Sequence, residues 1–207
     1  IRNVPDVTYT YRVGRSELPD EILAHGNWAI EGTGKGSYAF IRLKRSPYVT
    51  IPTDFEITEI FDATPLIVLR YQKSDEQAML AQLRYNRLID IFTGLTAYHL
   101  QSHYRTTVQQ LGQVEIDDLY IGVNTRGQGY ILPVEAKSMS LRDRLGVIQI
   151  TQMVRFARQY YPSLSVIPVG VKALEDGSFM FFEFTVEDNP DLLETRRIMR
   201  YKLVRDK

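Results

Sequence analysis

The chain has 207 residues, 44% of them hydrophobic and 24% charged, which suits a soluble globular protein with a sizeable buried core. It contains no Cys, so disulfides, thiolate metal sites and cysteine nucleophiles are excluded together, and a reducing, cytoplasmic setting is expected. The 25 basic and 25 acidic residues cancel, which counts mildly against a non-specific polyanion binder; no apolar run approaches a membrane span, and no membrane partner is expected. The chain opens on Ile1 rather than Met, as a fragment or processed form would.

Residues 1–70 are expected to form a β-rich N-terminal region ahead of a core over 71–207. Val7–Val13 alternates at period two, and Trp28–Ile30, Ser37–Leu43 and Tyr48–Ile51 read as further strands between Gly and Pro punctuation. Pro19–Ala24 suits one helical turn. The glycine-rich Glu31–Ser37 stretch fails the phosphate-loop pattern, since Ala29 stands where Gly is needed and Gly36 where Ser or Thr is needed. It reads as a hairpin loop that can offer Lys35 to a polyanion.

Pro65–Tyr71 reads as a short strand or an approach to the next element. Ser74 is placed as an N-cap, followed by a helix from Asp75 to about Phe92 that Gly94 closes. Thr96–Val108 alternates as a strand. Gln113–Lys137 forms two strands joined by a turn at Asn124–Gly129. A second helix spans about Leu141–Tyr161 and stops at Pro162. Leu164–Val171 and Phe179–Phe184 are strands, and a last helix is expected over Asp191–Arg200.

The hairpin Gln113–Lys137 carries the chemistry. Glu115, Asp117 and Asp118 lie near its start, and Glu135-Ala136-Lys137 ends it. In a strand, residues i and i+2 share a face, so Glu135 and Lys137 point together while Ala136 points away. By the same rule Asp117 shares a face with Glu115, Leu119, Ile121 and Val123, and Asp118 faces oppositely with Tyr120. Carboxylates that hold Mg²⁺ beside a lysine can activate water and neutralise a phosphoryl group. Asp117 is the favoured acid, with Asp118 as its competitor. Glu115 is a further candidate or an exposed strand charge. His99, His103 and Arg105 lie on the preceding strand, where phosphate contact competes with ordinary strand polarity.

Acid, hairpin and E-x-K together resemble the PD-(D/E)XK nuclease superfamily, which includes most type II restriction endonucleases. The resemblance covers about residues 74–185, with Ile116-Asp117 standing where that family often has Pro-Asp. It implies an α/β (α+β) fold, with a restriction-endonuclease-like core of order αβββαβ and a mixed β-sheet flanked by helices. It implies a Mg²⁺-dependent DNA endonuclease, with Mn²⁺ as a substitute, acting on double-stranded DNA as a homodimer. Its catalytic set would be Asp117, Glu135, Lys137 and a glutamine of the following helix, Gln149 or Gln152. Its metal set would be Asp117, Glu135 and Ala136, with Asp118 and Glu76 as further candidates. His103, Arg105 and Lys35 would touch nucleic acid, and the β-rich residues 1–70 would serve DNA binding or specificity. The competing expectation is a non-catalytic nucleic-acid-binding or assembly module on the same fold; an RNA or branched-DNA nuclease would use the same chemistry.

Overall fold

The computed structural model of the chain describes residues 10, 11, 16, 18–73 and 76–205. Its elements run α1 (Asp20–Leu23), β1 (Asn27–Gly34), β2 (Ser37–Leu43), β3 (Ile57–Phe61), α2 (Leu66–Tyr71), α3 (Glu76–Tyr85) and α4 (Leu88–Thr93). Then follow β4 (Thr96–Val108), β5 (Gly112–Val123), β6 (Gly129–Lys137), α5 (Val147–Tyr160), β7 (Ser165–Val166), β8 (Val169–Ala173), β9 (Ser178–Phe184) and β10 (Thr195–Val204). One mixed sheet of eight strands dominates, in the order β3-β10-β9-β8-β6-β5-β4, with β7 beside β6. The fold is therefore α+β, a mixed sheet flanked by a few helices.

β4, β5 and β6 form an antiparallel meander. The α5 crossover then returns the chain to β8, parallel to β6, as a helical connection requires. Each face of the sheet buries its own apolar cluster. Leu80, Leu83, Leu88 and Phe92 of α3 and α4 pack on Leu132, Val134, Val171 and Phe181. On the opposite face Ile150, Met153 and Phe156 of α5 pack on Ile116, Leu119, Ile131 and Phe182. The β1–β2 hairpin closes the entry to α5 by packing Ala29 and Leu43 on Ile148. Its backbone meets the β4–β5 turn so closely that a Cβ on Gly112 would sit 2.4 Å from the Gly34 carbonyl oxygen.

Several expectations change. Of the strand expected over Val7–Val13, only Thr10 and Tyr11 are described, and both are helical. Tyr48–Ile51 forms no strand; Tyr48 makes an isolated bridge to Gly146, and the Val49 amide donates to the Leu145 carbonyl at 2.9 Å. Pro65–Tyr71 is helix α2 rather than a strand, with none of its residues buried. Ser74 and Asp75 lie outside the described residues. The helix expected to reach Phe92 breaks in two at Arg87, whose φ is 50°. Asn86 causes the break: its buried amide donates to the Gln82 carbonyl at 2.9 Å and Thr64 Oγ1 at 2.9 Å, and its Oδ1 accepts from Ala63. The run Leu164–Val171 splits into β7 and β8, both parallel to β6.

The tail changes most. Asp191–Arg200, expected to be helical, leads into strand β10, which pairs antiparallel with β9 and parallel with β3. Pairing on both sides overrides local helix propensity, as is common for sheet residues. Strand β3, not expected from the sequence, lies at the sheet edge and pairs with β10. Among the described residues no helix is long and apolar enough to cross a membrane.

Candidate active site

The site lies where β5 and β6 part. Their pairing runs from Val123 and Gly129 to Asp118 and Val134 and then stops. At that point the alternation of β5 slips by one residue. Val114 and Ile116 face α5, and so does Leu119, while Tyr120 faces α3 and α4. Asp117 occupies the slip, and its Oδ2 accepts the Ala136 amide at 2.8 Å in place of a strand partner. The uninterrupted alternation expected from sequence, with Asp117 on the face of Leu119, does not hold. A bulge-like irregularity of this kind re-aims a side chain.

Glu135 and Lys137 end β6 on the α5 face, 2% and 5% exposed. The Lys137 ammonium donates to Glu135 Oε1 at 2.7 Å and stands 3.8 Å from Asp143 Oδ1. From the first turn of α5, Gln149 Nε2 also donates to Glu135 Oε1, which leaves Gln149 Oε1 buried without a partner. Gln149, and not Gln152, is thus the glutamine in contact with the acid. Gly146 N-caps α5, where a Cβ would press to 3.0 Å from Gln149 Oε1.

The electrostatics bind these groups into one unit. Burial pushes the Asp117 carboxyl well above the usual range, reinforced by Glu135 and Glu76 and opposed by Lys137 and the Ala136 amide. Burial raises Glu135 too, against the charge and hydrogen bond of Lys137. Glu76, at the start of α3, is raised by burial, with Lys137 opposing and Glu135 and Asp143 adding. Lys137 is the cation they share: burial would lower it, but Glu135, Asp117 and Asp143 together lift it above the ordinary lysine range. Glu76, Asp117, Glu135 and Lys137 therefore sense one another.

Asp118 stands apart. It is fully buried and turns toward α3, where it accepts from Arg84 Nη1 at 3.0 Å, Ser102 Oγ at 2.6 Å and Tyr120 Oη at 2.7 Å, with His99 Nε2 at 2.9 Å. This network engages Asp118 on the side of β5 that faces α3, away from Glu135 and Lys137. His99, weighed from sequence as a phosphate contact or ordinary strand polarity, and Arg84 are partners of that carboxylate. The signal available was the Asp117-Asp118 pair itself, of which the slip turns one acid toward the Ala136 amide and the other toward α3.

The remaining candidates lie on β4, on β5 and at the β1–β2 turn. His103, at φ 48°, places Nδ1 3.3 Å from Glu115 Oε1, and Arg105 reaches the same oxygen at 3.1 Å. Glu115 is thus held by two basic side chains. Lys35 is exposed at the β1–β2 turn, over the β4–β5 turn. Asp143, in the loop after β6, was not foreseen.

Oxygen donors suit a hard divalent cation, and here Glu135 contacts the Lys137 ammonium, Asp117 accepts the amide of the intervening Ala136, and the orphaned Gln149 amide oxygen lies beside Glu135. Among the described residues no three His, Cys, Asp or Glu side chains form a ready-made metal cage. A cation would be held by two carboxylates and main-chain or water oxygens, as Mg²⁺ commonly is. No family model, no curated protein and no solved structure matches the chain.

Proposed function

We propose that the protein is a metal-dependent nuclease of the PD-(D/E)XK kind that hydrolyses phosphodiester bonds in double-stranded DNA. One observation carries the reading. At the parting of two antiparallel strands, Asp117 bonds to the Ala136 amide while Glu135 and Lys137 flank that residue and Gln149 buttresses the glutamate. The element order from α3 through β4, β5, β6, α5 and β8, with its parallel return, supports it as the frame this motif requires.

In this reading Asp117, Glu135 and the Ala136 carbonyl would hold Mg²⁺ or Mn²⁺, with Glu76 as a further candidate. The bound ion would lower the pKa of water and offset charge on the phosphoryl oxygens. Gln149 fixes the Glu135 carboxylate in place. Lys137, kept protonated by the surrounding acids, supplies a positive charge for the developing phosphorane and can orient the attacking water. His103, Arg105 and Lys35 would contact backbone phosphates. A homodimer would present one such centre to each DNA strand.

The test is incubation with mixed-sequence double-stranded DNA in Mg²⁺ and in EDTA, with the ends mapped. Lys137→Ala and Glu135→Ala are expected to remove Mg²⁺-dependent cleavage and leave the circular dichroism spectrum unchanged. No cleavage by the wild-type protein, or full cleavage by either variant, would sink the nuclease reading. DNA retention without cleavage would favour a binding module.

A further inference from the structure

Lys172 stands directly across from Lys137 in the parallel β6–β8 register, so both side chains leave the sheet on the α5 face. Lys172 is 5% exposed. Two buried ammonium groups on neighbouring strands repel unless each is satisfied separately. Lys137 takes the carboxylates. Lys172 turns instead into the loop that leaves β6, and its Nζ donates to the carbonyl oxygens of Ser138, of Ser140 at 2.8 Å and of Asp143 at 2.7 Å. An ammonium has three donors and no acceptor, so these three carbonyls saturate it.

Residues 138–143 have little else to hold them. Met139 and Leu141 are 52% and 77% exposed, so the loop gains no apolar anchor from them. Its internal bonds are the Asp143 amide to the Ser140 carbonyl, at 2.9 Å, and the Ser138 amide to Asp143 Oδ2, at 2.7 Å. With one carboxylate oxygen held there, the other lies 3.8 Å from the Lys137 ammonium. We propose that Lys172 is a positioning residue, an internal cation around which residues 138–143 wind so that Asp143 is held against Lys137. The consequence for catalysis rests on the nuclease reading; the loop-holding role does not.

Two variants test it in the full chain, by amide hydrogen exchange and by single-turnover cleavage of genomic DNA in Mg²⁺. Lys172→Met keeps the stem and removes the cage. The Ser138 and Asp143 amides should then exchange about tenfold faster or more, while Val171 and Phe181 in the sheet exchange as before. Exchange at Ser138 as slow as in the wild type overturns the proposal. Asp143→Asn leaves the carbonyl cage intact and removes the charge facing Lys137. Cleavage should fall about tenfold in each variant with DNA retention unchanged, and the double variant should be no slower than the slower single, because both act through one contact. Multiplicative losses, or an Asp143→Asn protein that cleaves at the wild-type rate, overturn it also. If Lys172→Met does not fold, Asp143→Asn still decides the catalytic half. Failure of the wild-type protein to cleave any DNA ends the nuclease reading alone, and the exchange result at Ser138 then judges the cage by itself.

Discussion

Removing Arg84 should cost more stability than any ordinary surface arginine. Its guanidinium is 27% exposed, but the carboxylate it faces, Asp118, is fully buried at 3.0 Å. Ser102 and Tyr120 also donate to Asp118, and neither carries charge. Arg84→Ala therefore strands a buried carboxylate with neutral donors and His99. Breaking a buried pair from one side costs about 3–5 kcal/mol, and the partial exposure of Arg84 places the loss near the lower end. For a chain of this length that corresponds to a fall in Tm on the order of 10 °C. Asp118→Asn removes the charge together with its need for a cation, keeps polar atoms toward Ser102 and Tyr120, and should cost only about 1–2 kcal/mol. Urea unfolding followed by circular dichroism, with both single variants and the double, measures the three losses. The double variant should be less destabilised than the sum of the singles. An Arg84→Ala protein within about 0.5 kcal/mol of wild type would place the pair with exposed salt bridges and refute the reasoning.

Asp117 should behave in the opposite sense in metal-free buffer. Its folded pKa lies above its unfolded one, so its contribution is fully present below the unfolded value and is lost as pH rises. Asp117→Asn should therefore be more stable than wild type at neutral pH in EDTA, by a margin that shrinks toward pH 4, and a margin that grows on acidification would contradict this. Asp62 runs the other way. Burial opposes its ionisation, but hydrogen bonds from Arg205, Thr64 and Asn86 bring it down to about 2. Its stabilisation, up to about 2 kcal/mol, is present above its unfolded value near 3.8 and fades as pH falls toward 2. The gap between wild type and Asp62→Asn in urea unfolding should close over that acid range. Phe156 is fully buried, with Tyr104, Tyr160 and Tyr161 rings within 5.3, 5.3 and 5.8 Å; Phe156→Ala should cost about 3–5 kcal/mol in the same assay.

Elements with a strong local period were legible. Thr96–Val108 is a strand with the bounds its alternation suggests, and the hairpin after it turns where Asn124 and the following glycines place it. Elements whose form depends on a distant partner were not. β10 carries enough Arg, Met and Leu to read as a helix, and it becomes a strand because β9 and β3 flank it. α3 and α4 read as one helix until Asn86 spends its side chain on Thr64, more than twenty residues earlier. The acid–Glu–Lys set was legible because its spacing is local to one hairpin. The loop acid Asp143 was not, because its place is set by a lysine on another strand.

The slip in β5 gives these observations a common cause. Unbroken alternation would seat Asp117 among apolar side chains on the α5 face or leave Asp118 there. With one residue out of phase, Asp117 turns into the gap between β5 and β6, and the next carboxylate falls on the opposite face. The two acids then differ in what the protein has done for them. Asp118 receives a cation and two neutral donors, and stabilises the join of β4, β5 and α3. Asp117 receives one amide and a share of the Lys137 charge, against burial and the repulsion of Glu135 and Glu76. A fold selected for stability alone would have no reason to bury the second kind of carboxylate beside the first. On the nuclease reading proposed above, Asp117 is the carboxylate whose repulsion a bound cation would relieve, and Asp118 is the one that needs none.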